Sequence, residues 1–239
     1  MNEIYLSVIV PAFNESARLG ASLERMTAYL KAQSYTWEIV IVDDGSEDRT
    51  AEEAARHLAG TAHRILRNPT NRGKGYSVRR GMMEAKGRYR LFTDADLSTP
   101  IEETAKFLGL HEHGGFECVI GSRGVAGSRV EIHQNLLRET AGKIFNRLAR
   151  LMSFRGIADS QCGFKSFSAR AAGILFGRQK LDGFSFDAEI LYLAQKLNFR
   201  IAETPVVWRN NPQSRVRFFR DSARMFADLL KIRWLHRGL

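Results

Sequence analysis

The sequence predicts an α/β protein: a mostly parallel sheet with helices on both faces. Three observations predict it. Short β-branched runs alternate with helical periods through the front half. Several of those runs end in carboxylates or turn residues rather than continuing. No stretch of about 18 apolar residues occurs, so the elements are those of a globular chain and not of a membrane bundle.

Taken in order, "YLSVIVP" (5–11) reads as the first strand, and Leu19, Leu23, Met26 and Leu30 at i, i+4, i+7 and i+11 give a helix within 16–33. "WEIVIVDD" (37–44) is the second strand. A helix follows over 46–58, with Ser46 as N-cap and Glu47 and Asp48 in its first turn. "HRILRN" (63–68) is a strand. Val78, Met82 and Ala85 place a helix in 75–86. "RYRLFTD" (88–94) is a strand, and "TPIE" behind it reads as a capping box with Thr99 at N-cap, Pro100 at N1 and Glu102 at N3. "ECVIGS" (117–122) closes the regular half. Residues 124–135 have glycines and no period, so they read as a mobile loop. Beyond them, 136–152 reads as a helix, "CGFKSFS" (162–168) as a strand, 186–198 as a helix and "IAETPVVWR" (201–209) as a strand. From about Val216 a basic helix carries Phe219, Ala223, Phe226 and Leu230 on one face. One domain over 1–214, in halves 1–121 and 122–214, with a basic helix at 215–239, is the expected organisation.

Two cysteines give neither a disulfide framework nor a zinc pattern, which suits a reducing cytoplasm. "MNEIYLSVIVPAFNE" reads as neither signal peptide nor membrane span. The net charge of +10 is uneven. Residues 1–121 hold 15 Lys/Arg against 17 Asp/Glu, whereas 122–155 and 215–239 each hold 7 against 2. The excess in the back half suits an anionic partner or, more simply, a solvated basic helix face. Nucleic acid is not the expected partner. The basic segments lack a stacking module or helix-turn-helix, and acidic strand ends would repel a phosphate backbone.

Those acidic ends are the candidate chemistry. Asp94 and Asp96 stand at i and i+2 in the tight turn after a strand, the edge where open parallel sheets bind ligands. Two carboxylates on one side of a turn make a hard oxygen site for Mg²⁺ or Mn²⁺, completed by a diphosphate. Alone, the same pair could simply cap the turn and salt-bridge to nearby arginines. It is not alone. Asp43 and Asp44 close the second strand, with Gly45 permitting the turn. Glu15 follows the first strand and could accept from ribose hydroxyls. Gly73, Lys74 and Gly75 open a helix, with Lys74 placed for a phosphate.

"VPAFNE", "VDDGS", "TDAD" and "GSR", in this order, resemble the family-2 glycosyltransferases, which have the GT-A fold. "DSQCGFKSFS" (159–168), "FDAEILYLAQ" (186–195) and "DSARMFADLLKIR" (221–233) resemble the branch that makes polyprenyl-phosphate sugars, with "QCGFK" nearer the dolichyl-phosphate glucosyltransferases. The resemblance implies a nucleotide-sugar donor, UDP-glucose above GDP-mannose, and a polyprenyl phosphate acceptor. It implies that Pro11, Phe13 and Glu15 lie along the nucleoside and that Val42 and Asp44 hold the base. Asp94, Ala95 and Asp96 would meet ribose, diphosphate and metal, with Asp96 the principal ligand. Ser98 stands where mannosyl relatives carry a glutamine ligand. Arg123 and Arg138 would hold phosphates of donor and acceptor, and Arg215 stands where relatives often have lysine.

A phosphate acceptor is already ionised near neutral pH and needs cations rather than a base. A hydroxyl acceptor on a soluble glycan is the alternative, and it needs one. Asp159 and Asp187 are the carboxylates available for that, or else a turn residue and a helix-start cap. The basic C-terminal helix would lie on the cytoplasmic face of a membrane through Phe218, Phe219, Trp234 and Leu235, or pack its apolar side on the domain.

Overall fold

The computed structural model describes residues 3–132, 155–209 and 218–239; side chains of Ile132 and of 218–226 lie outside that description. The expected helix over 136–152, with Arg138, and Arg215 also lie outside it.

The five strands of the front half form where the β-branched runs place them: β1 (Leu6–Ala12), β2 (Trp37–Asp43), β3 (His63–Arg67), β4 (Tyr89–Thr93) and β5 (Cys118–Ser122). Helices α1 (Leu19–Lys31), α2 (Thr50–Leu58), α3 (Lys74–Glu84) and α4 (Thr104–Glu112) alternate with them. The back half adds β6 (Arg129–Ile132), β7 (Phe164–Ser168), α5 (Ala169–Arg178), α6 (Phe186–Lys196), β8 (Ile201–Pro205), β9 (Val207–Arg209) and α7 (Phe218–Leu235).

Among the described residues, seven strands make one sheet in the order β3-β2-β1-β4-β7-β5-β8. Pairings are parallel except that β7 runs antiparallel to both β4 and β5. Side chains alternate across the sheet. Leu6, Val8 and Val10 of β1 meet α1, α2 and α4 on one face, through Leu23, Met26, Leu58 and Phe107. Ile9, Val40 and Val42 meet α3, α5 and α6 on the other, through Val78, Met82, Phe176 and Ile190. The chain leaves β1 towards β2 and β3 and returns on its other side for β4. The crevice of such a sheet opens at that switch, beyond the strands' carboxyl ends.

Four expectations need correction. Ser46 does not cap α2, which begins at Thr50. Its hydroxyl instead accepts the Asn14 N–H (2.9 Å), and its own N–H goes to Asp43 Oδ1 (2.9 Å). Thr99 does not cap either: a single 3₁₀ turn, Ile101–Glu103, follows Pro100 before α4 starts. Residues 129–132 of the expected loop form β6, parallel to β9 in a separate two-stranded sheet. The run 201–209 is therefore two strands in two sheets.

The C-terminal helix α7 packs on the domain. Leu229 and Ile232 join Ile120, Ile157, Ala188 and Leu191 in a third core cluster. Ser185 Oγ donates to Asp228 Oδ2 (3.0 Å), and His236 Nε2 lies 2.6 Å from Glu189 Oε1, both buried. Leu235 is half-buried, whereas Trp234 is 63% exposed. No helix of the described residues is long and apolar enough to cross a membrane.

Candidate active site at the carboxyl ends of β1 and β4

Three loops converge on the switch. The loop after β1 turns at Asn14, whose φ is 53°, and is braced to the loop after β2. Glu15 N–H donates to Thr50 Oγ1 (2.7 Å), and Glu47 N–H donates to Asn14 Oδ1 (2.9 Å). Gly45 takes φ 73° in the second loop, where a Cβ would strike the Thr70 backbone at 2.5 Å. The third loop is the turn after β4. Ala95 and Leu97 are buried, while Asp94, Asp96 and Ser98 are only partly buried. Arg18 and Lys74 each face both carboxylates, and the Ser98 side chain bonds to Asp96, so the three polar groups gather on one accessible side of the turn.

Asp94 is held from behind. Its N–H donates to Gly163 O (3.2 Å), and its carboxylate packs where a Cβ on Gly163 would lie 2.0 Å from Oδ2. Lys74, the first residue of α3, sits 2.6 Å from Asp94 Oδ1. Asp96 Oδ1 accepts the Ser98 N–H (3.0 Å), and Oδ2 lies 3.9 Å from Arg18. Burial, then the Asp94 charge, push the Asp96 carboxyl above its ordinary value despite those partners. A carboxylate in that state gains from any cation placed beside it.

The remaining expected residues divide. Pro11 and Phe13 are half-buried at the end of β1. Glu15 is engaged by Arg18, whose Nη2 donates to Oε1 at 2.6 Å. Asp44 lies at the site's edge, but its carboxylate accepts from Asn68 Nδ2 (2.6 Å), Arg72 N–H (3.0 Å) and Gly73 N–H (2.8 Å). It holds the glycine loop before α3 in place. The Val42 side chain is wholly buried in the core on the α3 face, which leaves its backbone to meet a base. Arg138 and Arg215 lie outside the described residues.

Arg123 and Asp159 form a tight pair. Arg123 Nε and backbone N–H donate to Oδ2 (2.6 and 3.0 Å), and Nη2 donates to Oδ1 (2.9 Å). Gln161 N–H adds a fourth bond at 3.0 Å. Arg123 holds the Asp159 carboxyl far below the usual carboxylate range, although burial alone would raise it. Asp159 thus positions Arg123 and does not suit a general base. Asp187 is likewise committed. It is buried at the start of α6 and accepts from Lys165 Nζ, which also donates to Cys162 O (2.6 Å). Burial pushes its carboxyl up, with Lys165 and Lys74 opposing.

Arg18, Gly163 and Lys165 were not singled out from the sequence. Signals existed: Arg18 stands three residues after Glu15, and Lys165 is a lone cation inside an aromatic strand, where charge survives only when paired.

The family model for "Glycosyl transferase family 2" matches residues 7–175. The chain belongs to that family. Relatives named dolichyl-phosphate beta-glucosyltransferase match along nearly its whole length. The Dictyostelium discoideum protein is 35% identical, over 98% of this chain and 75% of its own. The Saccharomyces cerevisiae protein is 33% identical, over 97% and 75%. This glycosyltransferase therefore stands with the dolichyl-phosphate sugar synthase branch. Among solved structures, mannosyl-3-phosphoglycerate synthase from Rubrobacter xylanophilus superposes with a TM-score of 0.71 at 20% identity, covering 98% of this chain and 75% of that one. Glucosyl-3-phosphoglycerate synthase from Mycobacterium tuberculosis, in complex with Mn²⁺, UDP and phosphoglyceric acid, gives 0.71 at 17% identity, covering 96% and 78%. At such identities these two show the fold, which is GT-A.

Proposed function

We infer that this glycosyltransferase moves glucose from UDP-glucose to the phosphate of a polyprenyl lipid, with inversion at the sugar carbon. One observation carries the site assignment: Asp94, Asp96 and Ser98 share the accessible side of the turn after β4, beside Lys74. The similarity to dolichyl-phosphate beta-glucosyltransferases supports the sugar and the acceptor.

The donor set fits a divalent cation. Among the described residues no group of three His, Cys, Asp or Glu is assembled, so an all-protein cage is absent. Two carboxylates and a hydroxyl match an Mg²⁺ or Mn²⁺ that takes its other oxygens from a substrate diphosphate. When bound, such an ion would supply charge neutralisation for the departing diphosphate. Asp94 and Asp96 would hold it, with Ser98 beside them. Lys74 stands within reach of the same phosphates, and Arg123, fixed by Asp159, offers a cation that need not reorganise. Pro11 and Phe13 are placed for the nucleoside.

The choice of acceptor follows from the carboxylates. A hydroxyl nucleophile needs a base, yet Asp159 is saturated by N–H donors and Asp187 is paired with Lys165. A phosphate monoester arrives ionised and needs only positioning cations. The lipid is then met at a membrane surface, on the cytoplasmic side. The test is incubation with Mn²⁺, polyprenyl phosphate and a panel of labelled sugar nucleotides, reading label in the organic phase. Transfer from UDP-glucose supports the assignment; transfer from another donor alone overturns the sugar, and none from any donor overturns the lipid acceptor.

A further inference from the structure

A second cavity lies away from the Asp94–Asp96 turn. It measures about 790 Å³ and sits between the end of α7, the end of α5 and the loop that leads into α6. That volume is within the range of small-molecule sites. Arg79, Arg178, Lys180 and Arg237 line it, with no Asp or Glu side chain among the described lining residues. Among the described residues, none of the four pairs with a carboxylate within ion-pair distance. Lys180 Nζ donates only to a carbonyl, Leu235 O (2.6 Å), and the Arg237 guanidinium rests over the Trp234 ring, 5.3 Å from its centre. His236 also borders the cavity but is committed to Glu189. Four cations against the single main-chain carboxylate of Leu239 leave an excess of positive charge, so the arrangement is complementary to an anion.

The rim says which kind. Trp234 lines the cavity and is 63% exposed, and Leu230, one turn earlier, is 67% exposed. The buried side of α7 is already filled by Leu229 and Ile232, so these two point away from the core. A soluble phosphate compound has no use for an exposed tryptophan and leucine beside its site. An anionic phospholipid uses both, the cations for its headgroup and the ridge for the acyl boundary. Helix α3 links the cavity to the active site. The cavity's Gln179 donates from Nε2 to Gly75 O (2.9 Å), and Arg79 lies five residues along α3 from Lys74, about 7.5 Å of helix rise.

We propose that this cavity binds the phosphate headgroup of an anionic phospholipid, with Leu230 and Trp234 entering the bilayer beside it. The site is distinct from the turn that holds the donor, and it seats the enzyme on the surface that carries the acceptor.

Co-sedimentation of the full chain with vesicles tests it, with no donor present. Vesicles of phosphatidylcholine and phosphatidylglycerol are compared with phosphatidylcholine alone. The wild type is expected to bind the anionic vesicles, less at high salt, and not the neutral ones. The double variant Arg178→Gln, Arg237→Gln is expected to bind roughly 30-fold more weakly, at about fivefold per charge removed. Trp234→Ala weakens binding while leaving its salt dependence. Thermal melts of each variant confirm folding. Equal binding to neutral vesicles, or an unchanged double variant, overturns the proposal, as does displacement from vesicles by low inorganic phosphate, which marks a soluble-anion site. The two conclusions fail separately: vesicle binding without sugar transfer sinks only the transferase assignment, and transfer to detergent-dispersed lipid without vesicle binding sinks only this one.

Discussion

Gly163→Ala separates the position of Asp94 from the stability of the fold. A Cβ on residue 163 would lie 2.0 Å from Asp94 Oδ2, 2.5 Å from Cγ and 2.8 Å from Oδ1. Ordinary contact begins near 3.4 Å, so the carboxylate must retreat by about 1.4 Å. That breaks the 2.6 Å contact with Lys74 and pulls one oxygen donor from the shared side of the turn. Displacements near 1 Å in a preorganised site cost about 10²-fold in rate, or about 2.7 kcal/mol of transition-state stabilisation. Stability should hardly change. Gly163 is not among the glycines with positive φ, so alanine is allowed there. The smaller entropy of the unfolded chain returns about 0.4–1 kcal/mol against the local displacement. Initial rates of label transfer and a thermal melt, measured on the same preparation, are the assay. A loss of about 10²-fold with a melting temperature within a few degrees of wild type is expected. A folded variant with wild-type rate and wild-type Mn²⁺ dependence would refute the placement of Asp94.

Asp159→Ala leaves Arg123 without its partner in a largely buried pair and should cost about 3–5 kcal/mol by denaturant unfolding. Because the Asp159 carboxyl is depressed in the fold, its contribution is complete above the ordinary aspartate value of about 3.9 and is lost as pH falls below it. The gap between wild type and variant should therefore be constant near neutrality and narrow in acid. Asp96 behaves oppositely. Its raised carboxyl competes with a cation for the same oxygens, so the melting shift caused by Mn²⁺ should shrink as pH is lowered, starting above about 3.9. Lys165→Met strands Asp187 in the core and should cost about 3–5 kcal/mol, whereas Lys165→Met with Asp187→Leu should recover most of that in the same unfolding assay.

Sequence and structure agree where the signal is local. Strands β1 to β5 and helices α1 and α3 follow from β-branched runs and from apolar residues on one helix face, which the sheet then buries. Asp94 and Asp96 were legible because Asp43, Asp44 and the Gly73–Gly75 loop fall at the same sheet edge; the pair alone would have read equally as a turn cap. What was not legible depended on distant partners. Ser46 is a good cap by type, but the Asn14 backbone, 32 residues away, takes its hydroxyl. Nothing in "CGFKSFS" says that β7 enters the sheet antiparallel between β4 and β5. Residues 129–132 are short and irregular alone and become a strand only beside β9. Asp159 was visible as a carboxylate, but Arg123 stands 36 residues before it, and only the fold shows that Asp159 holds the Arg123 guanidinium.

The central claim is that the acceptor is a lipid phosphate, which the enzyme positions and does not deprotonate. Initial rates with UDP-glucose and Mn²⁺, comparing polyprenyl phosphate with the matching polyprenol, test it most directly. Transfer to the phosphate alone, abolished by Asp96→Ala, is the expected result. Transfer to the free alcohol at a comparable rate would contradict it, because that reaction requires a base that neither Asp159 nor Asp187 is free to provide.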